Sequence, residues 1–252
     1  MKRTSAELKR LARKNLIGHW GIVIGATLLM GLITSAVLMP FYLLFFITRG
    51  GMVQLTAYMV AALIISIIGV IMSAGISRMH FGFARGQDGK IEMLFGEFAR
   101  RPDRYILAIL MLYGIELACV LPGSICTWIG LIEESVLAAV IGGILYFVGI
   151  VVLILLNLRY VLCFFLLVEH PQMGAVTAFR ESARRMDGNK GRMFYLYLSF
   201  IGWGMLGILS FGIGMLWIMP YMNQTLVNFY LDVSGEYDGL QRPQALELAD
   251  HF

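Results

Sequence analysis

The sequence predicts an all-α, polytopic integral membrane protein: a bundle of six transmembrane helices with cytoplasmic amphipathic interfacial helices. Three observations predict it. First, the 252 residues are 59% apolar and only 14% charged, whereas soluble domains run near about 45–50% and about 25%. Second, six apolar runs are long enough to cross the hydrocarbon layer, since about 20 residues at 1.5 Å rise span roughly 30 Å. Third, Lys and Arg are concentrated in alternate connections, the bias expected of cytoplasmic loops.

The chain opens with "TSAE", which has the Thr-x-x-Glu form of a capping box and starts an amphipathic helix over 4–16. Leu8, Leu11, Ala12 and Leu16 share its apolar face. The first apolar run, about 17–46, is about twice the roughly 7–15 residues of a signal-peptide core, so it reads as a span and not as a cleaved leader. A second span is expected over about 55–77.

A basic connection follows with Arg78, Arg85, Lys90, Arg100, Arg101 and Arg104. Within it "IEMLFGEFARR" places Ile91, Leu94, Phe95 and Phe98 at helical spacing. Spans three and four are expected over about 105–128 and 136–168, joined by a connection holding Glu133 and Glu134. The next basic connection carries a third amphipathic stretch, with Met173, Val176, Phe179 and Ala183 on one side and Arg180, Arg184 and Arg185 on the other.

Spans five and six are expected over about 193–211 and 213–230, with Gly212 and Gly214 allowing a tight reversal between them and Pro220 interrupting the last. Residues 1–231 thus form one membrane domain, and 232–252 a polar, acidic cytoplasmic tail. The basic residues before span one and after spans two and four put both termini in the cytoplasm. The net charge of +4 then belongs to the inner face of the cell membrane and its anionic lipid headgroups, with no nucleic acid implied.

"GWGMLG", Gly202 to Gly207, matches G-x-G-x-x-G. A dinucleotide loop needs a strand before it and a helix opening at the glycines. Apolar residues flank the match on both sides, so it reads as accidental. Glycine in lipid has another use, close helix approach. Gly21 with Gly25, the stripe Ser66, Gly69, Ser73 and Ser77, and Ser210 with Gly214 are the candidates.

Two ionisable residues fall inside spans, Glu116 and Arg159, and intramembrane charge raises a functional hypothesis. Glu116 lies eleven residues past Tyr105 and Arg159 ten before Glu169, so counting 1.5 Å per residue gives them matching depths. They are expected to pair, with interfacial snorkelling of Arg159 and a transported-ion or substrate role as alternatives. Asn157, Asn223, Gln224, Thr225 and Asn228 suit interhelical hydrogen bonds. His19, His80 and His170 fall at membrane borders, and Cys119, Cys126 and Cys163 inside spans without metal spacing. No catalytic constellation, cofactor or metal site is expected.

Three segments, "RYVLCFFLLVEHP", "AFRESARRMDGNKGRMFYLYLSFIGW" and "GIGMLWIMPYMNQTLVNFY", together resemble the bacterial membrane family known as domain of unknown function 975. More distantly, Glu169, Ala178, Ser182 and Gly188 look like the non-catalytic membrane domain of some glycerophosphodiester phosphodiesterases. The resemblance implies fold and location but no activity. The expected function is a non-enzymatic membrane protein that binds lipid or a membrane protein partner through a basic cytoplasmic face of Arg100, Arg101, Arg180, Arg184 and Arg185. The alternative is a small transporter using Glu116 and Arg159.

Overall fold

The structure, a computed structural model, describes residues 2–237, and among these the regular structure is entirely helical. The amphipathic start forms α1 (Ser5–Leu16), opened by the expected capping box: the Thr4 hydroxyl accepts from the Glu7 amide while Glu7 accepts from the Thr4 amide. Two long hairpins follow from the apolar runs. The first is α2 (Trp20–Ile47) with α3 (Met52–Ala84), and the second α5 (Asp103–Ile132) with α6 (Val136–Tyr160). Between them lie the single turn α4 (Met93–Gly96) and a 3-10 turn (Glu97–Ala99). After α6 come α7 (Cys163–Glu169), α8 (Ala175–Met186), α9 (Lys190–Leu198), α10 (Ile201–Leu209) and α11 (Met215–Val233).

Five stretches are long and apolar enough to cross a membrane: α2, α3, α5, α6 with α7, and α9 with α10. The expected sixth span is helical but is not among them. Gln224 to Leu231 of α11 are buried, packed against α1, α2 and α3. Asn223, Gln224, Thr225 and Asn228 make this helix too polar for lipid and suit it to a protein interior. Pro220 does not interrupt it, because α11 runs through that residue.

The core is gathered at the end of the bundle that carries the basic connections. Buried residues of α3 cluster from Ile71 to Phe83, those of α5 include Tyr105 and Ala108, and α7 is buried over most of its length. The far halves of the hairpins keep large apolar side chains on their outer faces, among them Phe46, Trp128, Leu137 and Phe147, and Phe211 at the α10–α11 reversal is exposed as well. That surface requires an apolar solvent such as lipid.

Three expectations are corrected here. The segment 91–101 is not one amphipathic helix but a broken turn, in which Leu94 and Glu97 are buried while Ile91, Phe95 and Phe98 stay exposed. On α8 the buried face is Ala175, Ala178, Phe179, Ser182, Ala183 and Met186, with Val176 exposed. The apolar faces of α1 and α8 are covered by protein, α1 by α11 and α8 by α5, α6 and α7, so they are core elements more than lipid-facing ones. Asp232, the first residue of the expected tail, lies in the last turn of α11, which ends at Val233, and Tyr237 is buried, while 238–252 lie outside the described residues.

Two of the small-residue stripes are corrected as well, whereas Gly214 does lie close to Ser210 and Gly207. A Cβ at Gly21, Gly25 or Gly69 would meet nothing within 4 Å, so no helix approaches closely there. Close approach occurs elsewhere: Gly123 and Gly130 of α5 lie against the α6 backbone, and Gly142 and Gly149 of α6 lie against α5. Gly75 of α3 lies under the turn at Met93, whose carbonyl would stand 2.5 Å from an added Cβ. The reversal at 210–214 uses Gly212 at φ +86°, while Gly214 is helical at φ −59°. The Gly202–Gly207 match lies within α10, which excludes a strand-to-helix phosphate loop.

These packing differences separate glycines that look alike in sequence. Gly75→Ala is expected to destabilise by about 1–3 kcal/mol through overpacking. Gly21→Ala and Gly25→Ala are expected to be neutral or stabilising by up to about 1 kcal/mol. Thermal unfolding in detergent, followed by tryptophan fluorescence, compares them; equal losses at Gly75 and Gly21 would contradict the assignment.

Candidate functional site

Several of the cations that mark the basic end are tied into the protein. The deepest cluster surrounds Glu97, whose side chain is fully buried. Its carboxylate accepts from Arg78 Nε at 2.5 Å and from the Tyr105 hydroxyl at 2.7 Å, with Arg104 Nη2 4.0 Å away. The two arginines use their remaining donors on carbonyls, Arg78 on Val168 and Arg104 on His170 at 2.9 Å each. One carboxylate therefore joins α3, the 3-10 turn, α5 and the turn between α7 and α8.

Two further clusters close the same end. Arg85, just past α3, binds Glu169 at the end of α7 and Glu236 at 2.7 Å. These carboxylates, Glu169 first, raise the Arg85 pKa further above its ordinary value. Asp232 is held by Arg3 at 3.0 Å and Arg192 at 2.6 Å, which ties the N-terminus and α9 to the end of α11. Beside them Gln224 accepts from one ring nitrogen of His80 at 2.8 Å and donates to the His80 carbonyl at 3.1 Å. Asn228 accepts from Asn15 at 3.2 Å and donates to Leu8. Lys9 donates to the Ser199 carbonyl at 2.7 Å, at the break between α9 and α10.

Glu116 and Arg159 are not brought together. Glu116 lines a cavity with Tyr113, Leu117 and Leu153, whereas Arg159 lines another with Tyr160, Arg180 and Arg184. The hairpin register explains the error. Gly149 lies against Cys119 and Gly142 against Thr127, so Glu116 falls level with Leu153. Arg159 is six residues beyond Leu153, roughly 9 Å nearer the basic end. The depth count from Glu169 assumes one continuous helix, whereas the helix breaks at Val161 and Leu162 and α7 is buried in the basic-end core.

The remaining cations of the expected basic face divide into two kinds. Arg185 is committed to Glu181 at 2.7 Å and Ser234 at 2.7 Å. Arg184 also binds Glu181, at 2.9 Å, but keeps its side chain largely in the open. Together they hold the Glu181 carboxyl below its usual range. Arg101 lies 3.4 Å from Asp103, and Arg100 is exposed. Arg159 and Arg180 are exposed and, among the described residues, have no carboxylate within 4.0 Å.

Arg159, Arg180 and Arg184 line a shallow cavity of about 430 Å³ with Tyr160, Phe179 and Asp187. Tyr160 also lines a larger groove of about 570 Å³ between α6 and α9, walled by residues such as Leu153, Ile154, Phe164 and Phe194. Sequence reasoning named Arg180 and Arg184 but set Arg159 apart from them. It missed Glu97 and Asp232 altogether: Asp232 pairs with Arg3 near the other end of the chain, and Glu97 meets Arg78 and Tyr105 from two different helices. His19 stacks on Phe83 with ring centroids 4.4 Å apart, and His170 offers its carbonyl to Arg104. All three cysteines are free thiols.

A protein-family model described as Protein of unknown function (DUF975) matches residues 1–236. No curated protein and no solved structure matches the chain.

The clusters make contrasting predictions. Glu97→Ala strands two arginines and is expected to destabilise by about 3–5 kcal/mol, whereas Glu116→Ala is expected to stay within about 1 kcal/mol. Denaturant titration in detergent measures both. Comparable losses would contradict the placement of the carboxylates.

Proposed function

Because the chain belongs to this family, whose description assigns no activity, we propose a function from its own residues: a non-enzymatic protein of the cell membrane that binds anionic lipid at a basic cytoplasmic face. Both termini lie on that face in this reading. The observation that carries it is the division among the cations. Arg78, Arg85, Arg104 and Arg192 are neutralised internally, yet Arg10, Lys14, Arg100, Arg180 and Arg184 remain exposed at the same end. Exposed Lys and Arg beside a span are attracted to an anionic leaflet by about 1 kcal/mol each.

A transporter reading draws less support, since the intramembrane pair on which it rested is apart. A partner protein remains the competing occupant of the basic face. Native mass spectrometry after gentle extraction separates the two. The native chain is expected to retain anionic lipids, and Arg10→Glu, Lys14→Glu and Arg100→Glu together to reduce that retention by about tenfold or more. Unchanged retention, or a stoichiometric protein in place of lipid, would overturn the proposal.

A further inference from the structure

The basic cavity and the apolar groove are two halves of a shape. Arg159 is the last residue but one of α6 and Tyr160 the last, and Tyr160 lines both spaces. On one side stand three guanidinium groups, two of them without a carboxylate partner among the described residues. Asp187 is also present there, but its carboxylate is turned toward Lys190 at 3.6 Å. Guanidinium forks match the oxygens of a phosphate better than those of any neutral group.

On the other side the groove is walled almost wholly by hydrocarbon and aromatic carbon, with Asn157 as its main polar side chain. The Asn157 amide is already used, donating to the Leu153 carbonyl at 3.0 Å. The groove runs along α6, whose outer face carries exposed Val151, Ile154 and Leu155, so it is reached from the lipid side. A soluble anion would fill only the basic part, and a hydrocarbon only the groove. A molecule with an anionic head and an aliphatic tail fills both.

We propose that these two spaces form one site for a single anionic phospholipid, with its phosphate held by Arg159, Arg180 and Arg184 and an acyl chain laid along α6 past Tyr160. This rests on the lipid-binding reading above and names the ligand class and the place. It makes Arg159 a headgroup ligand, neither a partner of Glu116 nor only an anchor. It also gives α8 a second role beside its packing, since its buried face fixes the helix while Arg180 and Arg184 point to the site.

The test uses the full chain in detergent with phosphatidylglycerol and phosphatidylcholine of identical acyl chains, read by native mass spectrometry. The native protein is expected to retain one phosphatidylglycerol with a preference of about tenfold or more over phosphatidylcholine. Arg159→Ala with Arg180→Ala should bring that preference close to parity without loss of folding, because no buried charge is stranded. Arg159→Lys with Arg180→Lys should restore part of it. Ile154→Trp, which narrows the groove, should weaken both lipids and leave the preference intact.

Equal retention of the two lipids by the native protein, or an undiminished preference in the double alanine variant, would overturn the proposal. So would displacement of the lipid by glycerol 3-phosphate at the same concentration, which would reveal an anion site without a tail. A second copy of the chain seated there in place of lipid would overturn it too. If the Arg10, Lys14 and Arg100 reversals reduce lipid retention while the double alanine variant keeps its preference, the general reading stands and this site fails.

Discussion

The architecture depends on a buried carboxylate. Glu97 accepts from Arg78 and Tyr105 and stands beside Arg104, so a short and otherwise irregular turn fixes the ends of two apolar hairpins. An ion buried in this way is stable only when its hydrogen bonds are completed. Here they are: the arginines carry their spare donors to Val168 and His170, which brings the end of α7 and the α7–α8 turn into the same network. The position of α8, and hence of the basic cavity, follows from that arrangement.

The two ends of the molecule obey different physics. At the basic end, charge neutralisation and buried polar groups give a core like that of a soluble protein, and α11 contributes Gln224 and Asn228 to it. Along the hairpins, helices approach through glycine, with Gly123, Gly130, Gly142 and Gly149 forming a close α5–α6 seam. The outer faces present large apolar side chains. The lipid site proposed above lies where these regimes meet, since a headgroup would belong to one and its tail to the other.

Much of the fold was legible in the sequence because its signals are local. The capping box at Thr4, the buried face of α1, the long apolar helices and the Gly212 reversal all arise from residues a few positions apart. The site was only half legible. Arg180 and Arg184 are visible as the polar side of α8, but Arg159 was assigned to Glu116 because α7 looks like span in an apolar run. Glu97 gives no sign of its partners, because Arg78 and Tyr105 stand on different helices and no helical spacing links them to it. Asp232 was read as the start of a tail because Arg3 is at the other terminus.

Hydrogen–deuterium exchange of the lipid-embedded chain, comparing the native protein with Glu97→Ala, tests the role of that carboxylate most directly. If it is the shared anchor of the basic end, exchange should rise together in the 91–101 segment, in α7 and in the α7–α8 turn, while the α5–α6 seam beyond Cys119 stays protected. A rise confined to 91–101 would contradict the account and reduce Glu97 to a local turn residue.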